Sequence, residues 1–266
     1  MNMTTSVMAH SAPAQLLLME DVTRRFGGLT AVEGFTGHVG FGERVGLIGP
    51  NGAGKTTLFN LITGITGVSS GTVHFCGERV TGLAPDNLAR MGVARTFQNL
   101  RVLPNMSVFD NVSIGALGVV GHSPWSSLLG RRTLSNRISK LTWQALERTG
   151  LCDQAGMLAA NLSYGRRKYL EIARALALQP KLLILDEPAA GLNDTETAEL
   201  AFFIRSLSDQ GLSVMLVEHD MGFVMSLCDR IMVMASGRKI ADGPPAHIAA
   251  HPAVLEAYLG TEEDEV

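Results

Sequence analysis

The run Gly49-Pro50-Asn51-Gly52-Ala53-Gly54-Lys55-Thr56 fills every fixed position of the pattern G-x-x-x-x-G-K-[ST]. Its glycines let the backbone curl so that successive N–H groups converge on phosphate oxygens. Lys55 can reach the β- and γ-phosphates of a nucleotide, and the Thr56 hydroxyl can ligate magnesium, with Thr57 beside it completing the loop. The setting excludes a chance glycine turn: the apolar Arg44-Val45-Gly46-Leu47-Ile48 reads as a strand before it. Lys55 to Ile65 reads as a helix after it, whose N-terminal end favours anions. A second run, Leu182-Leu183-Ile184-Leu185-Asp186-Glu187, is an apolar strand ending in two carboxylates, placed where α/β sheets bind ligands. Asp186 suits magnesium held through water, and Glu187 can polarise an attacking water. Acidic residues commonly cap strands, so this pair draws its force from the glycine loop.

Asn161-Leu162-Ser163-Tyr164-Gly165-Arg166-Arg167 opens a helix, where a serine hydroxyl and free amides form an anion site. Here the sequence resembles the ABC ATPase superfamily, whose signature reads Leu-Ser-Gly-Gly-Gln. Leu162, Ser163 and Gly165 match it, while Tyr164 and Arg166 depart, an aromatic third position being found in one branch. The resemblance implies ATP and Mg2+ as cofactors. It implies catalysis by Lys55, Glu187 and His219, and places Ser163 and Gly165 against the γ-phosphate bound to a second subunit. His219 matches the histidine that contacts the γ-phosphate, and Gln98 the glutamine that touches magnesium and senses the permease. Phe26 falls where the superfamily stacks an aromatic on adenine, with an edge-strand core residue as the other reading. Ala190-Gly191-Leu192-Asn193 occupies a loop that ends in Asp in many relatives; Asn193 keeps a hydrogen-bonding group and removes a charge. Arg166, Arg167 and Lys168 fall in the first helical turn, where cations oppose the helix dipole. They read as a solvated basic face, or, for Arg166, as a phosphate attractor across the dimer.

The likeness runs from about Leu16 to Gly260. Within the superfamily, residues 26–32, 94–99, 188–193 and 217–221 and the closing Tyr258-Leu259-Gly260 resemble the ATP-binding subunit of branched-chain amino-acid importers. That branch implies two integral-membrane permease subunits, a second ATP-binding subunit (a copy or a paralogue) and a periplasmic solute-binding protein. The ATP-binding subunits would sit at the cytoplasmic face of the bacterial inner membrane. Urea and amide importers use very similar subunits, and the lipopolysaccharide-export ATPase shares the closing Tyr-Leu-Gly. A DNA-repair or ribosome-associated ATPase would favour tandem domains, coiled-coil insertions or basic patches. A regulatory domain that binds without hydrolysing would not need Glu187 and His219.

These residues require a scaffold, and the fold class expected is α/β. It is a P-loop NTPase of ABC type with a mixed or parallel sheet core, an N-terminal antiparallel β sub-domain and a helical sub-domain at about 99–165. Leu16 to Val22 and Ala31 to Val39 read as strands around a turn at 24–28, Thr72 to Cys76 and Val93 to Phe97 as further strands, and Pro85 to Met91 as a helix. From Val108 to Leu158 helical periodicity takes over, clearest in Ile138 to Arg148, with 121–132 as a loop. A helix follows Ser163 to Leu178, and another spans Asp194 to Leu207. Leu182 to Leu185, Val214 to Val217 and Ile231 to Met234 are short, wholly apolar strands of the kind buried in parallel sheets. Residues 1–14 read as a flexible leader, 15–260 as one ATPase domain and 261–266 as an acidic, solvated tail. A chain of 266 residues with 46% hydrophobic content can bury a sizeable core. Its net charge of −3 gives no footprint for nucleic acid or an anionic membrane. Cys76, Cys152 and Cys228 are too scattered for a disulfide framework or zinc site and fit a reducing compartment. Glu20 and Asp21 interrupt the early apolar run, so no signal peptide is read, and no apolar stretch approaches the roughly 20 residues of a membrane helix.

Overall fold

Leu182 and Ile184 face one core while Leu183 and Leu185 face another, and Met215/Val217 and Val214/Leu216 divide in the same way. Side chains alternate along a strand, so an uninterrupted apolar run is stable only where both faces are covered. The computed structural model describes residues 15–96, 101–120 and 131–259. The leader, Gln98, most of the loop at 121–132 and the acidic tail lie outside the described residues.

Along the chain the elements are β1 (Gln15–Phe26), β2 (Leu29–Gly40), β3 (Arg44–Ile48), α1 (Lys55–Ile62), β4 (Ser70–Phe75) and β5 (Glu78–Arg79). Next come α2 (Pro85–Met91), β6 (Val93–Arg95), α3 (Val108–Val120), α4 (Arg131–Arg148), α5 (Tyr164–Leu176) and β7 (Leu182–Asp186). The remainder are α6 (Asp194–Asp209), β8 (Ser213–Val217), α7 (Met221–Leu227), β9 (Arg230–Ala235), β10 (Arg238–Gly243), α8 (Pro245–Ala249) and α9 (Pro252–Leu259). They form a four-stranded sheet ordered β2-β1-β4-β5, antiparallel throughout, and a six-stranded sheet ordered β10-β9-β3-β8-β7-β6. The second sheet is parallel except at β10, which runs antiparallel beside β9. One core, holding Phe35, Phe59 and Phe75, fills the space between the two sheets around α1. The other joins α3, α4 and α5 to the opposite face of the parallel sheet. No helix among the described residues is long and apolar enough to cross a membrane.

Several boundaries differ from the sequence expectation. The turn expected at 24–28 shrinks to Gly27 and Gly28: Phe26 pairs with Leu29, and Gly27 at φ 57° supplies the left-handed bend alone. Helix α1 stops at Ile62, where Gly64 at φ 71° closes the turn, and α5 stops at Leu176 before Pro180. Arg131 and Arg132, read as loop, begin α4. The strand expected at Val93 to Phe97 ends at Arg95, and Phe97 lies outside the described residues.

Candidate active site

β3 delivers the glycine loop to α1. Gly49 has φ 148°, and a Cβ there would stand 2.0 Å from the Met234 carbonyl oxygen; one on Gly54, at φ 98°, would stand 2.4 Å from that of Ala31. Only glycine fits either place. No side chain caps α1 at Gly54, so its first amides are left for a ligand. Lys55 is buried, and its Nζ donates to the carbonyls of Gly49 at 2.6 Å and Pro50 at 2.9 Å. Burial lowers its pKa, against the opposing pull of the Glu187 charge. Behind the loop, a hydrogen bond with the backbone of Gly49 works against the burial that raises the pKa of the Tyr258 phenol, so α9 reaches the loop's first residue.

The loop floors a cleft of about 540 Å³ lined by residues 29–31 and 51–57 with Glu187, Val217, His219, Ser236 and Gly237. It thus gathers Asn51, Gly52, Ala53, Gly54, Lys55, Thr56, Thr57, Glu187 and His219 in one lining. Phe26 is not on its wall. It stands at the hairpin end beside Leu29, 46% exposed, with the Arg24 guanidinium 4.4 Å from its ring centroid, so it is no core residue either. Ser163 and Gly165 are not brought to this cleft. Ser163 caps α5 by accepting from the Arg166 amide, and Glu196 fills the space beside Gly165.

Where β7 ends, Glu187 adopts φ 48°, a conformation rare for a side-chain-bearing residue and frequent at functional sites. Its amide donates to the Val217 carbonyl at 2.9 Å, and its carbonyl accepts from Lys168 Nζ at 3.1 Å. Its Oε1 meets His219 Nε2 at 3.1 Å. The next residue on β8's side, Glu218, is buried and accepts from the Ala189 amide at 2.6 Å and the His219 amide at 3.2 Å. Burial raises the Glu218 pKa, the two amides oppose it, and the nearby Glu187 charge raises it further. One carboxylate thereby braces both loops that carry the Glu187–His219 pair.

Asp186 lies beneath this pair, its Oδ2 joined to Arg95 Nη2 at 2.7 Å with both side chains almost wholly buried. Arg95 also donates to Asn60 Oδ1 in α1 at 2.7 Å. A buried pair of this kind adds little net stability, because the desolvation of both charges offsets their attraction. Among the described residues no three His, Cys, Asp or Glu side chains cluster to hold a metal by themselves. Thr56 lines the cleft, whereas Asp186 is not on its wall and is held by Arg95. Both carry hard oxygen donors of the kind magnesium takes with phosphate oxygens and waters, which fits an ion bound by the Thr56 hydroxyl and reached by Asp186 through water.

Sequence reasoning missed Lys168, Glu218 and Arg95. Lys168 is not part of a solvated basic face: it is 4% exposed, on the same helical stripe as Gly165 and Ile172, and that spacing was the available signal. Burial lowers its pKa, opposed by Glu171, Glu218 and Glu187. Arg167 spends its guanidinium on the carbonyls of Leu162 and Ala160, while Arg166 stays exposed. Asn193 forms a reciprocal cap with Glu196 at the start of α6, which gives its hydrogen-bonding group an internal use.

Residues 32–190 match the family described as ABC transporter, and residues 238–264 the family described as branched-chain amino acid ATP-binding cassette transporter. The high-affinity branched-chain amino acid transport ATP-binding protein LivG of Escherichia coli (strain K12) is 43% identical over 251 residues, covering 92% of this chain and 98% of its own length. BraF of Pseudomonas aeruginosa, which carries the same description, is 40% identical over 249 residues with the same coverage. Among solved structures, a nucleotide-free ATP-binding cassette from an ABC transporter superposes with a TM-score of 0.82 at 31% identity, covering 92% of this chain and 98% of its own. The ADP conformation of another such cassette gives 0.81 at 32%, covering 92% and 99%.

Proposed function

This chain belongs to the ABC transporter family, and from that premise we propose that it hydrolyses ATP to drive the import of branched-chain amino acids. The observation that supports hydrolysis is the Glu187–His219 pair at 3.1 Å on the wall of a cleft floored by the Lys55 loop. The cargo reading is supported by near full-length similarity to LivG and BraF.

Phosphoryl transfer to water is catalysed mainly by positioning and by stabilising developing charge. The amides of residues 51–56 and the Lys55 ammonium hold the phosphates, with Gly49 and Pro50 setting the loop's curl. Glu187 orients the attacking water and takes up its proton, and His219 fixes the Glu187 carboxylate while facing the γ-phosphate. The Thr56 hydroxyl, Asp186 and Gln98 would hold Mg2+, which when bound neutralises phosphate charge. Phe26, at the hairpin end beside Leu29 of the cleft wall, would stack its ring on adenine, as the resemblance implies. Ser163 and Gly165, remote from their own cleft, complete the site of a second ATP-binding subunit, a copy or a paralogue.

Such a subunit works at the cytoplasmic face of the inner membrane, against two permease subunits fed by a periplasmic solute-binding protein, and never touches the amino acid. The test is uptake of labelled leucine by cells lacking this chain, complemented with wild type or Glu187→Gln. Restoration by wild type alone is expected. Leucine, isoleucine and valine uptake that survives the deletion would overturn the cargo, and urea and amide uptake would then be measured.

A further inference from the structure

Tyr164 stands where the signature Leu-Ser-Gly-Gly-Gln has a glycine, so this chain, like the branch with an aromatic there, carries a ring where that signature has no side chain. That ring is turned toward the loop that follows Glu187. Its hydroxyl donates to the Ala190 carbonyl at 3.3 Å. A Cβ built on Gly191 would come within 3.0 Å of the ring's Cε1 and 3.2 Å of its hydroxyl, and Gly191 sits at φ +80°. The bare glycine backbone is therefore what the ring packs against.

Neighbouring contacts tie the same two segments. Gly165 has no side chain where Glu196 Oε1 would stand 2.9 Å from a Cβ, and Glu196 is the residue that caps α6 with Asn193. One turn along α5, Lys168 Nζ lies 5.7 Å from the Tyr164 ring centroid and donates to the Glu187 carbonyl.

We propose that Tyr164 is a positioning residue that locks the loop 190–193 to the signature turn of its own chain, so that the two segments move as one body. Tyr164 touches no reacting group. The inference rests on the two-subunit reading, in which Ser163 completes the partner's nucleotide site while loop 190–193 follows this chain's own Glu187. Rigid linkage of the two makes closure on one nucleotide bias closure on the other. Its signature is cooperativity in ATP, with a Hill coefficient bounded by the number of sites.

The test is ATP hydrolysis by the assembled transporter over a range of ATP concentrations, for wild type, Tyr164→Ala and Tyr164→Phe, with fluorescent-ATP binding to each. Tyr164 is 46% exposed, so the fold tolerates both changes. Wild type is expected to show a Hill coefficient approaching about 2, and Tyr164→Ala to fall toward 1 with ATP affinity within about twofold. Tyr164→Phe, which keeps the ring and loses the bond to Ala190, shifts the same way by less. A Tyr164→Ala transporter with the wild-type Hill coefficient overturns the proposal, whether or not kcat falls, because partial misfolding scales kcat and leaves cooperativity intact. A wild type that hydrolyses ATP with a Hill coefficient of 1 overturns the proposal, and an assembled transporter that holds a single ATP-binding subunit overturns the two-subunit reading beneath it.

Discussion

His219 Nε2 lies 3.1 Å from Glu187 Oε1 although the residues are 32 apart in sequence. They meet because β7 and β8 are parallel neighbours whose last pair is Asp186 with Val217, so the chain leaves the sheet at two adjacent points. A ligand at the carboxyl ends of such strands faces both side chains at once.

His219→Ala is expected to lower kcat by about 10²-fold or more while ATP binding changes little, since the imidazole orients the carboxylate and leaves the phosphate loop untouched. Steady-state hydrolysis beside a fluorescent-nucleotide titration checks this. An equal loss in affinity and turnover would move His219 out of that role.

Lys168→Met removes a buried donor and leaves the Glu187 carbonyl without it. The carbonyl keeps the Ala190 amide at 3.3 Å, so what is lost is one hydrogen bond from a charged donor. Such a bond is worth about 1.5–3 kcal/mol, and urea denaturation should show a loss of that size. Hydrolysis should fall as well, because Glu187 at φ 48° loses a contact that holds its backbone. A variant with wild-type stability and turnover would contradict the arrangement.

Glu218 gives a pH test. Burial raises its folded-state pKa above the ordinary 4.5, so the folded chain holds this proton more tightly than the unfolded one. Its stability contribution is therefore fully present below about pH 4.5 and is lost as pH rises through the folded pKa. Glu218→Gln should flatten stability against pH in the weakly acidic range, read by denaturation at several pH values. It should also lower kcat, since the carboxylate accepts from Ala189 on Oε1 and from His219 on Oε2, and the amide replaces one of those oxygens with a donor.

The phosphate loop and the strand ending in Asp186-Glu187 were legible because their chemistry is written in consecutive residues. The parallel strands were legible because burial on both faces forces uninterrupted apolar runs. What escaped was made by distant contacts: Lys168 reaches Glu187 across 19 positions, Glu218 reaches Ala189 across 29, and Arg95 reaches Asp186 across 91. Strand β10 escaped because its Arg-Lys-Ile-Ala-Asp-Gly sequence is too polar to signal a strand, its place being set by pairing with β9. Phe26 could not be settled from sequence because its exposure depends on how tightly the hairpin turns.

Hydrolysis turns on Glu187 as the group that activates water, and the decisive measurement is single-turnover cleavage of ATP by Glu187→Gln beside its ATP affinity. The prediction is ATP bound as tightly as by wild type and cleaved about 10²–10⁴-fold more slowly. Hydrolysis near the wild-type rate with ATP fully bound would contradict it and assign the water to another group.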